Sequence, residues 1–162
     1  MTGGPATPAG LVGLIGALGA AGRRLFSRRL AQEEWVTRAR LRPPAYGVLL
    51  TIERLGPVSQ KQISDHMGLD PSDLVGVIDI LEREAFLTRG RDPQDRRRYS
   101  LTLTALGRQR LRQFSVIAAA VEEELLAPLD DDERRTFRAL VQRVLEHQRQ
   151  PDPPPAHASR GV

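Results

Sequence analysis

The 162-residue chain contains no cysteine, which excludes disulfides, a thiol redox switch and any cysteine-based zinc site. Its three histidines are scattered along the sequence, which argues against a metal centre. The apolar run from Leu11 to Ala21 falls short of the roughly 20 residues a bilayer span requires. It follows Met-Thr-Gly-Gly, which lacks the positive charge of a secretory signal. The expectation is a cytoplasmic protein without membrane attachment. A glycine-rich loop that could cradle phosphate and a cluster of metal ligands are also missing, so no cofactor is expected. Ser64-Asp65-His66 holds the letters of a catalytic triad. Three consecutive positions on one short helix do not face one another, however, and an enzyme is not expected.

What is present is uneven charge. The net charge is only +4, yet eight arginines stand against two aspartates between Ala85 and Arg112, an excess of six positive charges. From Gln113 to Gln150, five arginines meet eight acidic residues. A basic segment beside an acidic one suggests that a single face meets a polyanion. With 40% hydrophobic residues the chain can bury a core, as one domain or one domain with extensions.

The densest local signals lie between Pro57 and Leu103. Ser59 and Gln62 have capping-box spacing and start a helix over Gln60 to His66, which buries Ile63 and Met67 and is closed by Gly68. Asp70 caps a second helix with Pro71 at its first position, and Leu74, Val77, Ile78 and Leu81 form its apolar stripe. Short helix, tight turn and amphipathic helix make a helix-turn-helix pattern. Leu87 to Arg91 and Arg98 to Leu103 then read as two strands, with Tyr99, Leu101 and Leu103 alternating against Ser100 and Thr102. Between them lies a charged turn, Asp92-Pro93-Gln94-Asp95-Arg96-Arg97. The pattern is a winged helix, and it points to DNA.

The flanks are helical. Leu11, Leu14, Ile15, Leu18, Leu25, Phe26 and Leu30 fit one helical face that ends at Trp35, a core anchor. Glycines every third residue weaken its first half, so that segment is either packed on a partner helix or frayed. A helix starting near Pro43-Pro44 buries Ala45, Val48, Leu49, Ile52 and Leu55, and stops at Gly56-Pro57. Thr104 caps a long helix with Leu111, Phe114, Ile117, Val121 and Leu125 on its seam, broken at Pro128. Asp130 and Glu133 cap a last helix with Phe137, Leu140, Val141, Val144 and Leu145 inside. The expected class is mostly α with a small β-wing. Residues 1–9 and 150–162 are expected to be disordered tails, with an N-terminal dimerisation helix at 10–41, the winged unit at 42–104 and C-terminal dimerisation helices at 105–149. These flanks carry more apolar seam than so small a unit can cover, so a homodimer with two reading heads for a palindromic site is expected.

The chain resembles the MarR (multiple antibiotic resistance regulator) family of bacterial transcription factors. The resemblance is carried by Gln60-Lys61-Gln62-Ile63, Met67-Gly68-Leu69-Asp70, Ile80-Leu81-Glu82-Arg83, the charged turn, and Leu103-Thr104-Ala105-Leu106-Gly107-Arg108. It implies a homodimeric operator-binding repressor, occasionally an activator, often relieved by a small molecule. It also implies that Arg97 enters a minor groove and that Asp95 orients it, in keeping with the attraction of narrow grooves for arginine. Where the family usually has glycine, this chain has Ala85; a left-handed alanine costs about 1–2 kcal/mol.

Base edges would be read from the front of the second helix by Ser72, Asp73, Val75 and Gly76. Asp73 could accept from a cytosine amino group or merely favour the helix N-terminus. Arg89, Arg91, Arg96 and Arg98 are placed for phosphate contacts, as are Gln60 and Lys61 at a helix start. By resemblance, an effector would sit between the winged unit and the dimer helices, with Arg24, Arg28 and Tyr46 as candidate contacts. The rival reading is a winged helix used for protein contacts, or an architectural DNA binder without a specific operator.

Overall fold

Capping chemistry sets where the central helices begin. In the computed structural model, which describes residues 10–91 and 99–148, the Ser59 hydroxyl accepts from the Gln62 backbone N–H and the Gln62 side chain accepts from Ser59 N–H at 2.9 Å. This closed capping box opens α4 (Gln60–Met67), and Gly68, at φ 63, ends it in the left-handed conformation that glycine adopts without strain. Two residues later the Asp70 carboxylate accepts from Ser72 N–H at 2.8 Å and from the Ser72 hydroxyl at 2.6 Å, opening α5 (Pro71–Arg83). Those bonds hold the Asp70 carboxyl below the ordinary aspartate pKa, the hydroxyl contributing most. The stripe Leu74, Val77, Ile78 and Leu81 is buried, as its spacing demands.

The strands β1 (Leu87–Arg91) and β2 (Tyr99–Leu103) pair antiparallel, with Leu87 opposite Leu103. Val58 adds an isolated bridge to Leu101, exchanging hydrogen bonds of 3.2 and 2.8 Å, and ties the start of the helix-turn-helix to the wing. The expected alternation fails at Tyr99. Its ring is 61% exposed and lies under Arg91, whereas Ser100, expected on the open side, is buried along with Leu101 and Leu103. Tyr99 sits at the strand end away from the core, so the period of two has nothing to pack against there.

Around this unit, α1 (Leu11–Leu30), α2 (Glu34–Ala39), α3 (Pro44–Leu55) and α6 (Ala105–Leu125) complete one compact unit that ends at Leu125. The expectation of a single N-terminal helix through Trp35 is corrected here: the chain turns at 31–33, and Trp35 begins its own short helix. Leu30, Val36 and Ala39 are all buried, but on a continuous helix Leu30 and Val36 would point about 120° apart. The turn brings both to one core. Trp35 there meets Phe114 and Phe86 edge-on, at 4.9 and 6.4 Å between ring centroids. Leu55, expected inside, is 50% exposed because it occupies the final turn of α3.

The second unit holds α7 (Asp131–Gln148), opened by the expected capping box between Asp130 and Glu133. Its apolar stripe was expected inside, but Leu140, Val141, Val144 and Leu145 are all exposed in the single chain. So are Leu11, Leu14, Ile15 and Leu18 at the start of α1. The amphipathic pattern is real; among the described residues nothing covers it. Among the described residues no helix is long and apolar enough to cross a membrane, and no group of residues could hold a metal.

Candidate nucleic-acid interface

Burial on one side of α5 dictates what its other side shows. With Leu74, Val77, Ile78 and Leu81 in the core, the open side carries Ser72, Asp73, Val75, Gly76, Asp79 and Glu82, all exposed. At 100° per residue, Ser72, Gly76 and Asp79 share one line, flanked by Val75 and Glu82. Gly76 has open space where a Cβ would stand, so the backbone can be closely approached there. Ser72 keeps acceptor capacity while its hydroxyl donates to Asp70. No base-reading Arg, Lys, Asn or Gln stands among the front positions 72–76.

At the entrance, Gln60 donates to the Pro71 carbonyl at 3.3 Å, bracing α4 against the start of α5, and Lys61 pairs with Asp65 at 2.7 Å. Ser64 is buried, its hydroxyl given to the Leu69 carbonyl. Ser64 and Asp65 therefore have separate structural uses.

The joint between α5 and the wing is built by residues far apart in sequence. Phe86 N–H donates to the Leu81 carbonyl and Ala85 N–H to the Glu82 carbonyl, both at 2.8 Å, a Schellman closure with Ala85 at φ 57. Alanine itself thus takes the left-handed position. The Thr104 hydroxyl donates to the Ala85 carbonyl at 2.7 Å and accepts from Gly107 N–H at 2.9 Å, so one side chain caps α6 and pins the joint. Gly107 is packed so tightly that an added Cβ would lie 1.8 Å from the Phe86 carbonyl oxygen. Arg110, one turn along α6, stacks on Trp35 and Phe86 at 4.7 and 5.7 Å. The Leu-Thr-x-x-Gly motif is in physical terms the hinge pin of the wing.

Arg89, expected on phosphate, is held by α5 instead. Its Nη2 donates to Asp79, and its Nε forms an ion pair with Glu82 at 2.9 Å. Asp79 had no expected role, and Glu82 figured only within the stretch Ile80-Leu81-Glu82-Arg83. Their i, i+3 spacing placed them on one face, but nothing local named their partner. Arg91 lies with its guanidinium 5.8 Å from the centre of the Tyr99 ring. Asp95, Arg96, Arg97 and Arg98 lie outside the described residues, as do both terminal tails.

The expected effector contacts do not converge. Arg24 and Arg28 line a surface hollow of about 540 Å³ with Ala20, Arg23 and Ser27 on α1. Tyr46 belongs to a separate aromatic group, 5.6 Å from Phe26 and 5.8 Å from Phe114.

Compared with known proteins, residues 41–99 match the MarR family. A putative transcriptional regulatory protein for the hcr operon of Thauera aromatica is 33% identical over 121 residues, covering 75% of this chain and 70% of the relative. The PcaV transcriptional regulator of Streptomyces coelicolor, solved in complex with its natural ligand, superposes with a TM-score of 0.69 at 28% identity, covering 91% of this chain and 99% of that one. A Mycobacterium tuberculosis MarR family protein, Rv2887, solved in complex with DNA, shares the fold at a TM-score of 0.67 and 21% identity, covering 84% and 98%.

Proposed function

This chain belongs to the MarR family of DNA-binding transcriptional regulators, and from that premise we propose that it acts as a cytoplasmic homodimer that represses transcription from a palindromic operator. The family is one of regulators, not enzymes. The observation that carries the reading is the exposed line Ser72, Val75 and Gly76 on a capped helix, joined rigidly to a hairpin. In this reading α5 lies in a major groove, Ser72 and Asp73 take polar base edges and Val75 meets a thymine methyl. Asp95 and Arg97 work in the minor groove, while Arg91, Arg96, Arg98, Gln60 and Lys61 supply phosphate contacts.

Dimerisation would cover the two uncovered apolar stripes, the start of α1 and the face of α7. The dimerisation segments at 10–41 and 105–149 would flank the winged unit. Relief by a small molecule is part of the proposal. Arg24 and Arg28, beside their hollow, favour an acidic effector, whereas Tyr46 would have to leave its aromatic neighbours to take part.

Footprinting on the DNA beside the protein's own gene tests this function. Protection of two symmetric half-sites about one helical turn apart is expected. Protection without symmetry or sequence preference would replace the regulator with an architectural DNA binder, and no protection at low salt would favour a protein-interaction role.

A further inference from the structure

The groove-facing line of α5 runs into carboxylates. Beyond Ser72 and Gly76 comes Asp79, with Glu82 beside it, and both are exposed. Between Pro71 and Arg83 the helix has three acidic residues and a single arginine, the reverse of what a polyanion attracts. The cation nearest to those carboxylates comes from β1. Arg89 donates through Nη2 to Asp79 and forms an ion pair through Nε with Glu82 at 2.9 Å. Nε and Nη2 form the edge of a guanidinium that presents two parallel N–H groups to an oxyanion. Two carboxylates share that edge, one from each residue, and the cluster of three carries a net charge of −1. Arg89 is half-exposed, as are its partners, so solvent reaches the cluster and a phosphate could compete for it.

We infer that Asp79 and Glu82 act as a brake on sequence-independent DNA affinity, holding Arg89 off the phosphate backbone and leaving α5 slightly repulsive to it. The inference rests on the DNA-binding reading above and adds a specificity device to it. A regulator that searches long DNA gains discrimination when its non-specific affinity falls without loss of base contacts. Arg89 in this role positions the wing against α5 and makes no phosphate contact of its own.

The test is anisotropy on a labelled duplex of arbitrary sequence across a salt series from about 50 to about 200 mM. Asp79→Asn with Glu82→Gln should tighten binding about threefold to tenfold and steepen the slope of log K against log salt by about 0.9, one extra phosphate contact. Adding Arg89→Ala to that pair should erase the gain in slope and reduce the gain in affinity, and Arg89→Ala alone should leave the slope at its wild-type value. Circular dichroism melts identify any variant that folds poorly; in that event Asp79→Asn alone should give a smaller shift in the same direction. Unchanged affinity and slope in the neutralised variants would overturn the brake while wild-type binding still upheld the DNA reading. A slope reduced by about 0.9 in Arg89→Ala alone would overturn it too, because Arg89 would then already be on phosphate. Failure of the wild type to bind any duplex would remove both.

Discussion

Ala85→Gly should stabilise the protein. Ala85 stands at φ 57, where the Schellman closure of α5 requires a left-handed residue. An L-residue with a Cβ is strained there by about 1–2 kcal/mol. Glycine removes that strain but brings back about 0.5–1 kcal/mol of unfolded-chain entropy. The Phe86 and Ala85 N–H bonds to Leu81 and Glu82, both 2.8 Å, and the Thr104 bond to the Ala85 carbonyl, 2.7 Å, need no Cβ and survive the change. The difference lies at about 0–1.5 kcal/mol, centred on about 0.75 kcal/mol, which raises Tm by about 1.5–3 °C in a domain of this size. Calorimetric melts at matched protein concentration would read it, concentration being held fixed because a dimer melts by mass action. Ala85→Val, β-branched at a positive φ, should move Tm the other way. A neutral or lower Tm in Ala85→Gly would show that the joint carries no strain at this residue and would refute the reasoning.

Three further outcomes follow from the same structure. Gly107→Ala places a methyl 1.8 Å from the Phe86 carbonyl oxygen and should destabilise by about 1–3 kcal/mol or more, read as a lower urea midpoint. Leu140→Asp on the uncovered face of α7 should convert a dimer to monomer in sedimentation with helix content retained; an unaltered dimer would place the interface elsewhere. The Asp70 carboxyl titrates below its ordinary value because Ser72 bonds to it. A lowered folded-state pKa gives stability that is whole above the unfolded value, near pH 4, and is lost as pH falls through the folded one. The Tm gap between wild type and Asp70→Ala should therefore be constant above about pH 5 and shrink below about pH 4.

Much of the fold was legible because capping residues speak locally. Ser59 with Gln62, Asp70 with Pro71 and Asp130 with Glu133 each announced a helix start that the structure reproduces. The strand Leu87 to Arg91 was placed to the residue. What escaped was decided by tertiary partners. The turn at 31–33 exists because Leu30 and Val36 share one core, a demand invisible to a single helical period. The Val58 bridge to Leu101 is a lone pair of residues with no periodicity to betray it. On α5, the exposure of Ser72, Asp73, Val75 and Gly76 followed from its buried stripe. The pairing of Arg89 with α5 depends on a strand folding back beside that helix, which no local pattern announces. Arg24, Arg28 and Tyr46 were named as candidate effector contacts by resemblance alone; Arg24 and Arg28 line a hollow on α1 and Tyr46 packs on Phe26 and Phe114.

The central claim, that a winged helix reads DNA with its arginine-bearing turn, is tested most directly by anisotropy on the duplex beside the protein's own gene. Wild type and Arg97→Ala would be compared at two salt concentrations, with a random duplex alongside. The account predicts sequence-selective wild-type binding that weakens with salt and falls at least tenfold in Arg97→Ala, about 1.4 kcal/mol or more. Equal binding by wild type and Arg97→Ala, or no preference for the gene's own duplex, would contradict it.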